Sequence, residues 1–83
     1  MQLISKQDMI TKEWLSFDRY PQQGSDIILH IRGYYIRENK YCHDFVRLFR
    51  FHAMYFDKRD YTPKIKSVVW DYSWLPVKAL KQQ

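Results

Sequence analysis

The segment DIILHIRGYYIR, at residues 26–37, predicts more about the fold of this 83-residue chain than any other part of it. It is rich in isoleucine and tyrosine, whose branched and aromatic side chains pack well on a pleated sheet. Because successive side chains of a strand point to opposite faces, the segment has two distinct sides. One side carries Ile27, Leu29, Ile31 and Tyr35, and the other carries His30, Arg32 and Tyr34. Gly33, in mid-segment, predicts a bulge or a sharp bend in a long strand.

Two further runs of apolar residues predict strands after this one. Residues 45–56 are rich in phenylalanine and follow a polar hairpin tip at residues 37–40. Residues 65–74 form the last run, which Pro76 ends because proline cannot donate a hydrogen bond to a sheet. The order of these segments predicts an antiparallel meander of three long strands, with a short fourth strand at residues 13–17.

A short helix is predicted before the sheet. Residues 5–8, Ser-Lys-Gln-Asp, resemble a capping box, and Ile4 and Met9 stand at the positions of a hydrophobic staple. We expect one or two helical turns at about residues 6–11, which must dock on the sheet because so short a helix does not persist alone.

A flat meander would leave one aromatic face in water, so we expect a strongly twisted or barrel-like sheet that the helix closes. The predicted fold class is therefore mainly β, or α+β by element count. It is a compact antiparallel sheet of three to four strands with one short N-terminal helix.

Length and composition predict a single domain at residues 1–83, since a chain this short has room for only one core. We divide it into a helical lead at about 1–12, a β core at 13–76 and a basic tail at 77–83. The single Cys42 cannot form an internal disulfide, and no apolar run resembles a signal peptide or a membrane span. We expect a cytoplasmic protein without a membrane partner.

Candidates for catalysis or metal binding are sparse. Cys42 and His43, with His30 and His52, offer metal ligands. Adjacent residues on a strand point to opposite faces, so Cys42 and His43 cannot easily share one ion or act as a nucleophile and its base. The two aspartates of residues 57–60 lie in a predicted turn. We therefore expect no catalytic residue, no metal and no cofactor, and hence no enzymatic activity.

A net charge of +5 and an alternating basic and aromatic run at residues 47–55 predict a binding surface. If the hairpin aligns the apolar faces of its two strands, the polar faces bring together His30, Arg32, Tyr34, Arg50 and His52. Exposed aromatic rings beside arginine on a sheet bind single-stranded nucleic acid. The alternative is that the rings are core and the cations are merely solvated. A shift of one residue in register reverses the faces, so the sequence leaves this choice open.

Two motifs bracket the predicted sheet. The opening motif is WLSFDRYPQQG at residues 14–24, and the closing motif is VVWDYSWLP at residues 68–76. We expect Trp14 and Trp74 to meet, joining the entry of the sheet to its exit, because a tryptophan anchors a small core strongly. The residues of this predicted structural clasp are Trp14, Ser16, Asp18, Arg19, Pro21, Gly24, Trp70, Trp74 and Pro76.

The opening motif resembles the start of a family of small domains of unknown function that is common in bacteriophage and prophage genomes. Members begin Trp-(Ile/Leu)-Ser-Val-x-(Asp/Glu)-Arg-Leu-Pro-x-x-Gly and end near His-Trp-Met-Pro-Leu-Pro. Here the closing residues run Ser73-Trp74-Leu75-Pro76-Val77, with Ser73 in place of the histidine and Lys78 in place of the last proline. The resemblance spans residues 14–76 and implies an accessory protein of a mobile element.

Two functions follow as hypotheses. The first is a small non-catalytic binding module, a phage or prophage accessory protein that acts on a host or phage protein. The resemblance and the surplus of tyrosine and tryptophan, which suit interfaces, support it, and a homodimer is compatible with it. The alternative is a nucleic-acid-binding domain that uses the basic and aromatic face of the sheet.

Overall fold

The computed structural model describes Gln7 and residues 12–79. Three strands form one sheet: β1 (Asp26–Tyr35), β2 (Lys40–Arg50) and β3 (Val68–Pro76). Two single-turn 3-10 helices, Lys58–Tyr61 and Val77–Ala79, follow β2 and β3. The described residues therefore confirm a mainly antiparallel β domain. The helix predicted at residues 6–11 and the end of the predicted tail lie outside them, apart from Gln7.

The strand order corrects the predicted meander. β1 lies in the centre, in the order β2-β1-β3, and is antiparallel to both neighbours. A meander would pair β3 with β2, whereas here the chain after β2 crosses back and adds β3 to the free edge of β1. The reason is that β1 has apolar side chains on both of its faces. Such a strand is best buried in the centre of the sheet, where a neighbouring strand also pairs with each of its edges. Four of its side chains are at most 1% exposed: Ile27, Ile28, Leu29 and Ile31.

The sheet is open, with β2 and β3 at its two edges, and the barrel-like closure that we expected is not present in residues 12–79. The predicted fourth strand at residues 13–17 is reduced to one bridge. Leu15 and Trp74 exchange two backbone hydrogen bonds of 2.9 Å at the outer edge of β3. A single bridge holds the N-terminal segment against the sheet without extending it.

β2 begins five residues and ends six residues before its predicted bounds of 45 and 56. The hairpin turn is tight: the backbone N–H of Asn39, which has φ of 58°, donates to the carbonyl of Tyr35 at 2.8 Å. The pairing of β1 with β2 therefore begins directly after the turn, where Tyr35 lies opposite Lys40. It ends at the first residue of β1, where Asp26 lies opposite Arg50. The length of β1 sets the length of β2.

Gly33 marks a bulge, as its position in the strand predicts. The register passes from Gly33 opposite His43 to Tyr34 opposite Tyr41, which leaves Cys42 as the extra residue of β2. Cys42 is exposed. Beyond the bulge, Tyr41 lies on the same face as Tyr34, and their rings are 5.0 Å apart.

The register divides the sheet into two faces. The aromatic face carries alternate residues of β1 from Ile27 to Tyr35, together with Lys40, His43, Phe45, Arg47, Phe49, Val68, Trp70, Tyr72, Trp74 and Pro76. The polar face carries Asp26, Ile28, His30, Arg32, Tyr34, Tyr41, Asp44, Val46, Leu48, Arg50, Val69, Asp71, Ser73 and Leu75. Each face has its own core cluster.

The two core clusters separate the tryptophans that we expected to meet. On the aromatic face, Ile27, Phe51 and Trp74 are buried together beneath partly buried rings from the loops. On the polar face, Ile28 and Leu75 are buried against Val46, Val77 and Trp14. Because Leu15 pairs with Trp74, the preceding side chain points to the other face. Trp14 therefore packs in a different cluster from Trp74.

Candidate functional site

Four of the five residues of the predicted binding surface lie together on the polar face. The observed register thus answers the question, left open by the sequence, of which residues share a face. These four residues are His30, Arg32, Tyr34 and Arg50. Each cation or histidine among them has a carboxylate partner on the same face. Arg50 Nε lies 3.2 Å from Asp26, His30 Nε2 lies 2.6 Å from Asp44, and Arg32 Nη2 lies 4.0 Å from Asp71. The positive charge of this face is therefore largely balanced.

The sequence predicted that His30 lies on a solvated surface. This prediction is wrong, because the residue is only 7% exposed. Its ring centroid lies 4.7 Å from that of Trp14, and its Nε2 is hydrogen-bonded to Asp44. A buried polar ring needs such a partner, since burial without one is costly. His30 therefore contributes to the packing of the polar face.

Arg32, Tyr34 and Tyr41 of the polar face make their polar contacts with neighbouring side chains of the protein. The guanidinium carbon of Arg32 lies 4.3 Å from the ring centroid of Tyr41, a cation–π contact. The Tyr41 hydroxyl donates to Asp71 at 2.7 Å, and this bond raises the pKa of Tyr41 above its usual value. The Tyr34 hydroxyl donates to the side chain of Asn39. These groups bind one another.

His52, the fifth predicted residue, lies beyond the end of β2. Its Nδ1 is 3.0 Å from Nε2 of Gln23, whose Oε1 accepts a 2.8 Å bond from the backbone N–H of Ala53. The amide of Gln23 thus holds the loop that follows β2. At the tip of this loop Met54 and Tyr55 are 84% and 79% exposed.

The indole of Trp74 is hydrogen-bonded to two of the other clasp residues. Its Nε1–H donates to the carbonyls of Ser16 (3.2 Å) and Arg19 (2.9 Å), while Ser16 Oγ donates to the Asp18 carboxylate. Pro21 is buried. Gly24 adopts φ of +82°, where its N–H meets the carbonyl of Phe51 at 2.9 Å. Pro76 ends β3 opposite Ile27. These contacts join residues 15–24 to both β3 and the end of β2.

The aromatic face bears a cluster that the sequence did not single out. Trp70 of β3 reaches across Gly33 of the central strand and meets two rings of β2. Its ring centroid is 5.6 Å from that of His43 and 6.2 Å from that of Phe45, with interplanar angles of 33° and 23°. The Tyr35 hydroxyl and His43 Nε2 are 2.9 Å apart. We call Tyr35, His43, Phe45 and Trp70 the aromatic platform.

The platform forms because Gly33 has no side chain. A Cβ at this position would lie 2.8 Å from Cζ3 of Trp70, closer than such atoms approach in proteins. Each of the four platform side chains is half-buried, so part of each ring remains accessible. The ring of Phe45 is stacked on that of Trp70, whereas the ring of His43 is tilted against it, and both spacings lie in the range of favourable aromatic pairs. The platform thus offers ring surface from three strands within one region.

Charge is distributed unequally between the two faces of the sheet. All three carboxylates of the strands, Asp26, Asp44 and Asp71, lie on the polar face. The strands place Arg47 on the aromatic face, where it lies 5.6 Å from the ring centroid of Tyr61. Among residues 12–79, Arg47 forms no salt bridge. The aromatic face of the strands therefore carries positive charge without a counter-charge of its own.

Loop cations extend this positive charge. Lys58 lies 4.6 Å above the ring of Tyr72, and Lys64 and Lys66 are exposed on the chain that leads into β3. The acidic residues of the same loop are Asp57, which accepts hydrogen bonds from Arg59, and Asp60. The segment at residues 47–66, which runs from the end of β2 through the following loop, thus combines with the platform to present aromatic rings and cations.

Sequence reasoning missed the platform because it assigned the apolar face of β1 and its partner rings to the core. That assignment holds near Ile27, where loop rings cover the sheet. A possible signal was Gly33 itself, since a strand glycine marks a close approach of other groups. The order of the strands was also needed, because only a central β1 places Trp70 and His43 on either side of Gly33.

The part of the chain that the structure describes contains no group of three or more histidine, cysteine, aspartate or glutamate side chains placed to hold a metal ion. None of its helices is long and apolar enough to cross a membrane. No protein-family model matches the chain, and comparisons with curated proteins and with solved structures found no significant match. The resemblance of residues 14–76 to phage and prophage domains therefore stays a prediction.

Proposed function

We propose that this protein is a non-catalytic module that binds single-stranded nucleic acid on its aromatic face. The observation that carries the proposal is the platform, in which Trp70 meets His43 and Phe45 across Gly33. Nucleobases stack on such rings whatever their sequence, because every base has a π-face. The rings of the platform are half-buried and held by the sheet, so binding would cost little ordering of the protein.

The charge distribution supports the same partner. The strands contribute Lys40, Arg47 and no carboxylate to the aromatic face, and the chain as a whole carries +5. Cations beside stacked bases contact the phosphates and release counterions, which makes binding salt-dependent. The polar face, which the sequence favoured, supports this function less well because its arginines are already paired with carboxylates.

Fluorescence anisotropy of labelled single strands of about 12 nucleotides tests the proposal, since such sites span about 4–16 nucleotides. We expect Trp70→Ala to weaken binding by about 5- to 150-fold, the effect of losing one stacked base at 1–3 kcal/mol. Val69→Ala is the matched control, because Val69 precedes Trp70 on the same strand but is half exposed on the polar face.

Two results would refute the proposal. One is the absence of binding by the wild-type protein to single-stranded DNA and RNA at low salt. The other is equal affinity of the Trp70→Ala and Val69→Ala variants, with both shown to be folded by circular dichroism. Affinity that is the same at low and high salt would contradict the role of the cations.

A second candidate is the binding of a host or phage protein, and the loop after β2 favours it. Met54 and Tyr55 are the two most exposed large apolar side chains of the described residues, and Gln23 holds their loop in place. Exposed aromatic and methionine side chains are enriched at protein interfaces. The predicted relation to phage and prophage domains would make the partner a protein of the host cell.

The two candidates are separated by one experiment. If the loop binds a protein, the wild-type chain retains that protein from nuclease-treated host lysate and the Met54→Ser/Tyr55→Ser variant does not. Trp70→Ala should then behave as wild type. If nuclease abolishes every captured partner, the protein-binding candidate fails.

A further inference from the structure

A cleft lies beside the platform, between β2 and the segment formed by the end of the first 3-10 helix and the residues that follow it. It is lined by Phe45, Val46, Arg47, Tyr61 and Pro63 and has a volume of about 250 Å³. Phe45 belongs both to this cleft and to the platform, so the two form one continuous surface. The cleft is smaller than the roughly 300–1,000 Å³ of sites for drug-sized ligands, which favours an occupant of the size of one nucleobase.

The walls of the cleft suit a planar aromatic occupant. Tyr61 is held by a ring stack with Phe49, whose centroid is 4.8 Å away at an interplanar angle of 20°. Pro63 adds a rigid apolar surface, and Phe45 provides a ring on the platform side. A flat base can pack against such groups without any rearrangement of the sheet.

Arg47 supplies the polar group of the cleft. Its guanidinium lies over the ring of Tyr61, with 5.6 Å between the guanidinium carbon and the ring centroid. The residue is exposed and forms no salt bridge within residues 12–79. A guanidinium can donate two parallel hydrogen bonds to two oxygens of a phosphate group or to the acceptors of a base edge. A positive charge on an aromatic-lined cleft favours an anionic ligand that carries a flat ring, and a nucleotide has both properties.

We infer that this cleft is a second base subsite: one nucleobase of a bound single strand enters it, while neighbouring bases stack on the platform and Arg47 contacts the adjoining phosphate. This inference rests on the proposed function, and it adds a defined position for one nucleotide. Because Phe45 and Arg47 of the cleft belong to β2 and Trp70 belongs to β3, on the other side of the central strand, we expect a strand to bind across β2 towards β3.

The test compares Arg47→Ala with Arg50→Ala. Both arginines are exposed residues of β2, but Arg50 lies on the polar face in an ion pair with Asp26. We expect Arg47→Ala to reduce the slope of log affinity against log salt by about 0.7, the value for one phosphate contact with a single strand. Arg50→Ala should leave that slope unchanged.

NMR of the full chain separates this inference from the proposed function. On addition of oligothymidylate or oligouridylate, we expect ring signals of Tyr61 and side-chain signals of Pro63 to shift together with the Trp70 indole N–H. If Trp70 shifts while Tyr61 and Pro63 do not, the cleft is empty and only the inference fails. If none of the three shifts, both the inference and the proposed function fail. Equal salt slopes for the two arginine variants would also overturn the subsite.

Discussion

The indole of Trp70 lies across Gly33, so closely that a Cβ on Gly33 would be 2.8 Å from Cζ3 of Trp70 and 2.9 Å from Cγ1 of Val68. Because the central strand has no side chain at this position, the ring of Trp70 from β3 can extend across it and contact His43 and Phe45 of β2. This one relationship links the strand order to the platform. It also makes Gly33 a position where a small change should have a measurable effect.

Gly33→Ala should destabilise the fold. The new methyl group would force the ring of Trp70 and the side chain of Val68 to move, and overpacking of this kind costs about 1–3 kcal/mol. Urea denaturation followed by circular dichroism measures the free energy of unfolding. A change below about 0.5 kcal/mol, within the usual range of surface substitutions, would contradict the close packing of Gly33 and Trp70.

Trp74→Phe should weaken the attachment of the N-terminal segment to the sheet. The substitution removes the indole N–H that donates to the carbonyls of Ser16 and Arg19, and it leaves a smaller ring in a buried site. We expect a loss of about 1–3 kcal/mol from the free energy of unfolding. Thermal denaturation measures it.

Trp70→Phe is the control for that change. It also shortens an indole to a phenyl ring, but at a half-buried position on the same strand. Its effect on the melting temperature should be smaller than that of Trp74→Phe. If the two variants melt at the same temperature, the bonds to Ser16 and Arg19 contribute nothing to stability.

Gln23→Ala should loosen the loop that carries Met54 and Tyr55. The Gln23 side chain accepts the backbone N–H of Ala53 at 2.8 Å, and without it this amide loses its protein acceptor. We expect faster hydrogen exchange at Ala53. Gln22→Ala is the matched control, since Gln22 enters the described hydrogen bonds only through its backbone carbonyl. Equal exchange of Ala53 in the two variants would show that the side-chain amide of Gln23 does not hold the loop.

The carboxyl group of Asp57 should titrate far below its usual range. Hydrogen bonds from the side chain and the backbone N–H of Arg59 lower its pKa from 3.8 to about 2. Since the folded-state pKa is lowered, the stabilisation is complete above pH 3.8 and is lost as the pH falls through about 2. Carbon-13 NMR of the Asp57 carboxyl group measures the midpoint.

Arg59→Ala tests the cause of that shift. Without the guanidinium, the pKa of Asp57 should rise towards 3.8, although the backbone N–H of residue 59 still favours the carboxylate. A midpoint that stays near 2 in the variant would show that the side chain of Arg59 is not the main cause.

Local features of the fold could be predicted because they depend on residues close together in the chain. The hairpin tip, the bulge at Gly33 and the end of β3 at Pro76 each follow from local backbone chemistry. The bounds of β2 could not be predicted in this way. They depend on a tight turn at residues 36–39 and on how far β1 extends in the opposite direction.

The candidate site shows the same division. The sequence indicated that His30, Arg32 and Arg50 could share a face, and the register places them together. It could not indicate that Asp26, Asp44 and Asp71 lie on that face too, because Asp71 reaches it only through the pairing of β3 with β1. The balance of charge, and hence the choice of the aromatic face as the proposed binding surface, required the third strand.

By itself, the sequence determined a mainly antiparallel β domain and a β1–β2 hairpin. It left two possible registers for the hairpin, which differ in the residues that share a face. Alternation of side chains and local turn chemistry are sufficient for these features. Tertiary structure alone decided that β1 is central and that Trp70 crosses Gly33 to meet His43. Contacts between strands about 30 residues apart or more depend on which pairing buries the most apolar surface, and that comparison is between whole folds rather than between neighbouring residues.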